Sequence, residues 1–299
     1  MTAFSPIVVA VFLMTVSATT IALGNTLIRS IGDIGIHPFE IAFFRCAFGF
    51  ATVAPIVLWQ ARAWPKITAV KPLLASGLCH YASMLCFFTG VTLMPLNESA
   101  ALSFATPLFA TIGVALFLGE TVRARRWAAI IVGFAGVLIV LRPGAVPLGL
   151  GPVLVILSTV TFAGVTVLVK MMSGTERTAT VVFYQSLIVM LLTLPLALWH
   201  WTTPSLPAFL AMAALGALST LGWLCFTRAF ALADASAILP FEFTRMPFIA
   251  ILAYLVLGEV PDKWVWLGAA VIFGSTLYIA QREHAAHRRA QIQRLTDEQ

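Results

Sequence analysis

The tripeptide Leu118-Gly119-Glu120 returns as Leu257-Gly258-Glu259, 139 residues later. Laid over residues 243–277, residues 104–138 match at eleven of thirty-five positions, among them Phe104/Phe243, Phe109/Phe248, Trp127/Trp266 and Phe134/Phe273. The correspondence continues toward the N-terminus. Leu85-Cys86-Phe87 meets Leu224-Cys225-Phe226 at the same offset, Pro55 and Trp59 meet Pro195 and Trp199 at 140, and Ser17 and Ala22 meet Ser158 and Ala163 at 141. An offset that drifts by two residues over half a chain is the mark of tandem duplication. It constrains the fold strongly, because both halves must build the same unit.

Composition decides the solvent. The chain is 60% hydrophobic and 10% charged with mean hydropathy +0.98, against about a quarter charged in soluble domains. So few charges cannot keep a 299-residue surface wet, and the lipid bilayer is the expected partner. The net charge of +6 raises nucleic acid as a partner, but the basic residues sit in short turns and the C-terminal tail, so topology explains them and no nucleic-acid partner is expected. Cys46, Cys79, Cys86 and Cys225 lie within apolar spans without CxxC or Cys/His ligand spacing; neither a metal, a disulfide nor a cofactor is expected. The first basic residue, Arg29, follows the first apolar run, which therefore reads as a membrane span and not a cleaved leader.

Ten spans of roughly 18–25 residues follow, near 6–30, 38–59, 71–94, 97–118, 125–142, 148–171, 178–200, 206–232, 236–258 and 263–281. Lipid offers no partner to an open strand edge, so the expected fold is an all-α membrane protein. Its parts are a first five-helix repeat (1–146), a second (147–283) and a basic cytoplasmic tail (284–299). With the N-terminus in the cytoplasm, thirteen Lys and Arg fall in inner turns and the tail, against Arg29, Arg142 and Lys263 outside. Five is an odd number, so the second repeat enters the bilayer upside down. Inverted repeats are a recurrent architecture of secondary transporters, with the solute held near the midplane between the halves. No connection is long enough for a soluble catalytic domain, and no intramembrane Ser/His, paired-aspartate or HExxH constellation is present, so the chain does not read as an enzyme.

Candidate site residues are the polar and aromatic groups inside spans. Pro107 and Pro247 lie mid-span in matched segments and read as hinges, because proline removes a backbone donor and frees a carbonyl. Glu242 and Arg245, three apart on one helix face, either neutralise each other or hold the ammonium and carboxylate of a zwitterion. Arg45 and Glu98 read as structural polar groups, the first holding neighbouring carbonyls and the second suiting a helix N-terminus. His80 and Asn25 would orient a polar solute, and Tyr81, Trp223 and Phe241 would form a greasy wall around it. The remaining tryptophans fit an interfacial belt.

The pattern Pro107…Leu118-Gly119-Glu120…Trp127…Gly136, repeated by Pro247…Leu257-Gly258-Glu259…Trp266, resembles the EamA family of the drug/metabolite transporter superfamily. So do Phe44-Arg45 and the five-plus-five layout. The second copy departs from the first by a one-residue slip of its proline and by Ser275 opposite Gly136. The resemblance implies a cavity between two inverted repeats and export of small metabolites, including hydrophobic and aromatic amino acids, from the bacterial inner membrane with both termini in the cytoplasm. Nucleotide derivatives and organic cations are the rival cargo, and a non-transport membrane assembly subunit is the rival class. No GxxxxGK[ST] loop is present, so ATP is not the expected energy source, and proton coupling stays open.

Overall fold

The structure, a computed structural model, describes residues 6–61, 66–117, 124–143, 149–172, 175–176, 178–232, 241 and 244–297. The first half contains α1 (Pro6–Asp33), α2 (Pro38–Ala61), α3 (Val70–Leu93), α4 (Leu96–Ser103), α5 (Thr106–Phe117) and α6 (Ala124–Leu141). The second contains α7 (Leu150–Met172), α8 (Thr178–Trp199), α9 (Leu206–Leu232), α10 (Arg245–Leu252, continued by the π-helical turn Ala253–Leu257) and α11 (Lys263–Asp297). Among the described residues the fold is all-α. Six of its helices contain a stretch long and apolar enough to cross a membrane: Pro6–Asp33, Pro38–Trp59, Val70–Leu93, Leu150–Val169, Thr180–Trp199 and Leu206–Phe226. Trp127–Leu141, Arg245–Leu257 and Lys263–Ile279 are shorter apolar helices.

Local chemistry sets the element ends. Pro38 opens α2, where its missing N–H is one of the donors a helix start leaves unpaired anyway. Pro55 and Pro195 lie inside α2 and α8 at corresponding places of the two halves. Two findings differ from the sequence expectations. The span expected over 97–118 is two helices, α4 and α5, and α11 runs on through the segment expected to be a basic tail.

Helix pairing repeats across the halves. α1 lies along α9 and α3 along α7; α2 touches α9 and α8 touches α3; α10 packs on α1 and α5 on α7; α2 pairs with α8 and α6 with α11. Exchanging each helix for its repeat partner maps this set onto itself. The contacts rest on small residues, as expected where packing and not water drives association. A Cβ on Gly77 would lie 2.7 Å from Ile188, and one on Gly216 2.6 Å from Phe48, so the same helix contact recurs in both halves. Gly136 and Gly268 bring α6 and α11 together: a Cβ on either would lie under 3.0 Å from the other's carbonyl oxygen. The largest buried cluster joins both halves through Leu102, Leu108, Met246, Ile249 and Ile272.

Repeat partners α2 and α8 run antiparallel. The carboxylate of Glu40, in the first turn of α2, accepts hydrogen bonds from the N–H (3.1 Å) and hydroxyl (2.9 Å) of Thr202, just beyond α8. Beside it the rings of His37 and His200 stack with centroids 4.0 Å apart. Arg29 also serves this end, donating to the carbonyls of Val91 (3.0 Å), Thr92 and Met94 (3.5 Å). At the opposite end Glu176, between α7 and α8, accepts from the N–H and hydroxyl of Thr68 (both 2.6 Å) and the N–H of Ala69 (2.8 Å), at the start of α3.

Candidate solute-binding site between the halves

The break between α4 and α5 has a specific cause. Pro107 cannot donate to the carbonyl of Ser103 four residues earlier, and the hydroxyl of Thr106 donates to that oxygen instead, at 2.9 Å. Phe104 and Ala105 tighten into the bonds Phe104 N–H to Ala101 (3.2 Å) and Ala105 N–H to Leu102 (3.0 Å), and α5 restarts with Pro107 in its first turn. The interruption therefore precedes the proline. In the second half α10 begins at Arg245 with Pro247 again in the first turn, and Thr244, just before it, donates its hydroxyl to the Phe241 carbonyl. α5 and α10 thus start at corresponding places of the two halves, each with a proline in its first turn.

These places meet. The Arg245 guanidinium lies over the ring of Phe104, 4.4 Å from its centroid, so the start of α10 sits on the break between α4 and α5. Glu242 lies outside the described residues, and so does its expected pairing with Arg245.

The repeated Leu-Gly-Glu also finds a role. Gly258 adopts φ +69°, a left-handed conformation that glycine enters without strain, and ends the π-helical turn. That turn brings Glu259 to the start of α4, where its Oε2 accepts the Leu96 N–H at 2.8 Å. The second half thereby caps a broken helix of the first. The first Gly-Glu, Gly119-Glu120, lies outside the described residues. Nearby, Arg142 and Asp262 form an ion pair at 2.7 Å, and Glu98 is half-buried beside them. Asn97 is buried, and neither its side-chain nitrogen nor its side-chain oxygen has a hydrogen-bond partner among the described residues.

Deeper in the bundle Arg45 occupies the junction of α2, α3 and α9. Its Nε donates to Ser219 Oγ at 3.1 Å, its Nη1 lies 2.9 Å from Met84 Sδ, and its guanidinium faces the Phe88 ring at 5.7 Å. The carbonyl-holding role expected of Arg45 belongs to Arg29, whose position at a helix end brings it beside the carbonyls that close α3. His80 lies one turn before Met84, its ring against that of Phe162 with centroids 5.9 Å apart and its buried Nδ1 without a hydrogen-bond partner among the described residues. Tyr81 packs on the central cluster and Asn25 is buried in α1.

The expected aromatic wall is divided. Tyr81 belongs to the central cluster, whereas Phe241 packs with Phe226 against Ala10, Met14 and Ala229. Trp223 stacks on Phe226 at 5.7 Å and is 41% exposed. α9 links the groups, since Ser219 and Trp223 are one turn apart. Sequence reading passed over Ser219, Met84 and the fully buried Glu40; only the repeat pairing of Ser219 with His80 hinted at the first.

Comparison with known proteins accords with this arrangement. The EamA-like transporter family matches the chain twice, over residues 8–142 and 149–281. An S-adenosylmethionine uptake transporter of Rickettsia bellii is 30% identical over 84% of this chain and 86% of its own. A riboflavin transporter of Vibrio cholerae is 35% identical over 66% of each chain, and a pseudopaline exporter of Pseudomonas aeruginosa is 28% identical over 88% of this chain and 92% of its own. One solved structure superposes with a TM-score of 0.62 over 93% of this chain and 98% of its own at 16% identity, a likeness of fold. The chain belongs to the EamA-like transporter family and is an integral membrane transporter of small molecules.

Proposed function

We propose that the chain is a secondary transporter moving S-adenosylmethionine, or a solute of its class, by alternating access across the inner membrane of a bacterium. S-adenosylmethionine unites the cargo types suggested by the sequence: an amino acid, a nucleoside derivative and an organic cation. The observation that carries the reading is the meeting of the α4–α5 break with the start of α10, through Phe104 and Arg245 from opposite halves; transporters use interrupted helices to bind solutes at the midplane. Sequence likeness to four S-adenosylmethionine uptake transporters, each over at least 84% of this chain, supports the cargo.

In this reading the halves, 1–146 and 147–283, are inverted five-span repeats with both termini and the tail 284–299 in the cytoplasm. The antiparallel α2–α8 pair and the thirteen-to-three distribution of Lys and Arg favour it. Glu242 and Arg245 interact with a charged end of the solute, His80 and Asn25 orient it, and Trp223 and Phe241, which share Phe226 as a neighbour, receive its flat ring, with Tyr81 on the side of the central cluster. Pro107 and Pro247 flank the hinges, while Glu98 stays structural at the start of α4. Export of free amino acids is the second reading, favoured by the exporter among the relatives.

Solute counterflow tests this. Vesicles containing the purified protein and preloaded with unlabelled S-adenosylmethionine should accumulate the labelled compound transiently above equilibrium. Accumulation of labelled tryptophan in tryptophan-loaded vesicles, with none of S-adenosylmethionine, would replace the cargo by the second reading.

A further inference from the structure

We infer that Arg45 is a solute-binding residue that receives a carboxylate, with Ser219 orienting its guanidinium and His80 beside it. The inference rests on the transporter reading above and names the chemistry at one end of its site. Arg45 carries five N–H donors and a permanent charge. Yet among the described residues Arg29 pairs with Asp33 and Arg142 with Asp262, whereas Arg45 faces no carboxylate at that range. What it touches is a hydroxyl, a thioether and an aromatic face, all neutral and the last two weak acceptors.

A cation at membrane depth is costly and is retained where it faces a bundle interior and pairs with something. Arg45 meets those conditions in position: it projects from α2 between Met84 and Phe88 of α3 and Ser219 of α9, and α3 and α9 are repeat partners from opposite halves. It is half-buried, so part of the group remains accessible at this junction. One turn before Met84, the buried Nδ1 of His80 is a second polar atom awaiting a partner. A planar fork with unfilled donors beside an unpartnered imidazole nitrogen suits a carboxylate, which accepts two parallel N–H bonds from arginine and has lone pairs left for a neighbour. A bare cationic or sugar-like solute would leave the same charge uncompensated.

The test compares each carboxylate-bearing compound with its decarboxylated form: S-adenosylmethionine against decarboxylated S-adenosylmethionine, and tryptophan against tryptamine. Binding is measured by calorimetry on the purified full chain and on R45Q, R45K and R245Q. The wild type should prefer the carboxylate-bearing member of the pair it recognises by ~10–100-fold. R45Q should abolish that preference, chiefly by weakening the binding of the carboxylate-bearing member. R45K should keep the fold and the charge but lose most of the preference, because it lacks the fork. Retention of the preference in both Arg45 variants, or its loss in R245Q alone, would overturn the inference. Preference within the tryptophan pair but no binding of S-adenosylmethionine removes the proposed cargo and leaves the role of Arg45 to be decided by the same variants. A wild type that binds neither carboxylate-bearing compound overturns both.

Discussion

The two ends of the bundle use the same device in different surroundings. Glu40 accepts the N–H and hydroxyl of Thr202 on the approach to α9; Glu176 accepts the N–H and hydroxyl of Thr68 on the approach to α3. α3 and α9 are repeat partners, so in each case a carboxylate from one half holds the start of a helix in the other. Glu40 is fully buried, whereas Glu176 lies at the surface with three hydrogen bonds to one oxygen. Similar bonding around carboxylates of unequal burial should therefore have unequal consequences: removing the buried Glu40 side chain leaves a space that the fold must fill, whereas water can take the place of the Glu176 carboxylate.

The largest expected effect is that of Glu40→Ala, which removes a fully buried side chain together with its two hydrogen bonds to Thr202, at a cost of about 1–3 kcal/mol. Thermal unfolding in detergent should show a clear drop in midpoint for this variant and a smaller one for Glu176→Ala. Equal drops would mean that burial does not distinguish the two ends. Thr202→Val removes one hydroxyl donor but keeps the backbone bond, and should cost about 0.5–1.5 kcal/mol. Thr68→Val, at the wetter end, should be milder in the same assay.

The smallest effects are in pH dependence, and they separate the ends. Burial, followed by the facing His200, holds the His37 imidazole below its ordinary pKa of 6.5. The folded state therefore prefers neutral His37, and stability present above pH 6.5 is lost as pH falls through the lowered value. Hydrogen bonds from Thr68 and Ala69 hold the Glu176 carboxyl below 4.5, so its contribution is present above that pH and is lost only in stronger acid. Unfolding midpoints measured from pH 8 to pH 4 should fall first through the histidine window, and His37→Gln should flatten that part of the curve. A wild-type curve level between pH 7 and pH 5 would remove the stacked imidazoles from the account.

Much of this architecture was legible in the sequence because duplication writes itself at a constant offset. Leu257-Gly258-Glu259 of the echo ends a π-helical turn and caps α4, Pro55 and Pro195 lie inside paired helices, and Pro107 and Pro247 stand in the first turns of α5 and α10. Long-range partners were not legible. Glu40 and Thr202 are 162 residues apart and Glu176 and Thr68 are 108 apart, so the shared device leaves no trace at the repeat spacing of 139. The break at Phe104-Ala105 depends on a threonine hydroxyl substituting for an absent proline N–H, which a proline alone does not reveal. Arg29 was legible as a residue of the outer flank and Arg45 as one within a span, but their partners were not: one is tied to carbonyls at a helix end, and the other faces neutral groups between the halves.

Sided labelling addresses the central claim, that the halves lie in the membrane in opposite senses. Thr202→Cys and Thr68→Cys, each introduced into a chain whose four native cysteines are replaced by serine, would be exposed to a membrane-impermeant maleimide in sealed vesicles of known orientation. The label should reach position 202 from the external face only and position 68 from the cytoplasmic face only. Reaction of both positions from one face would contradict the account.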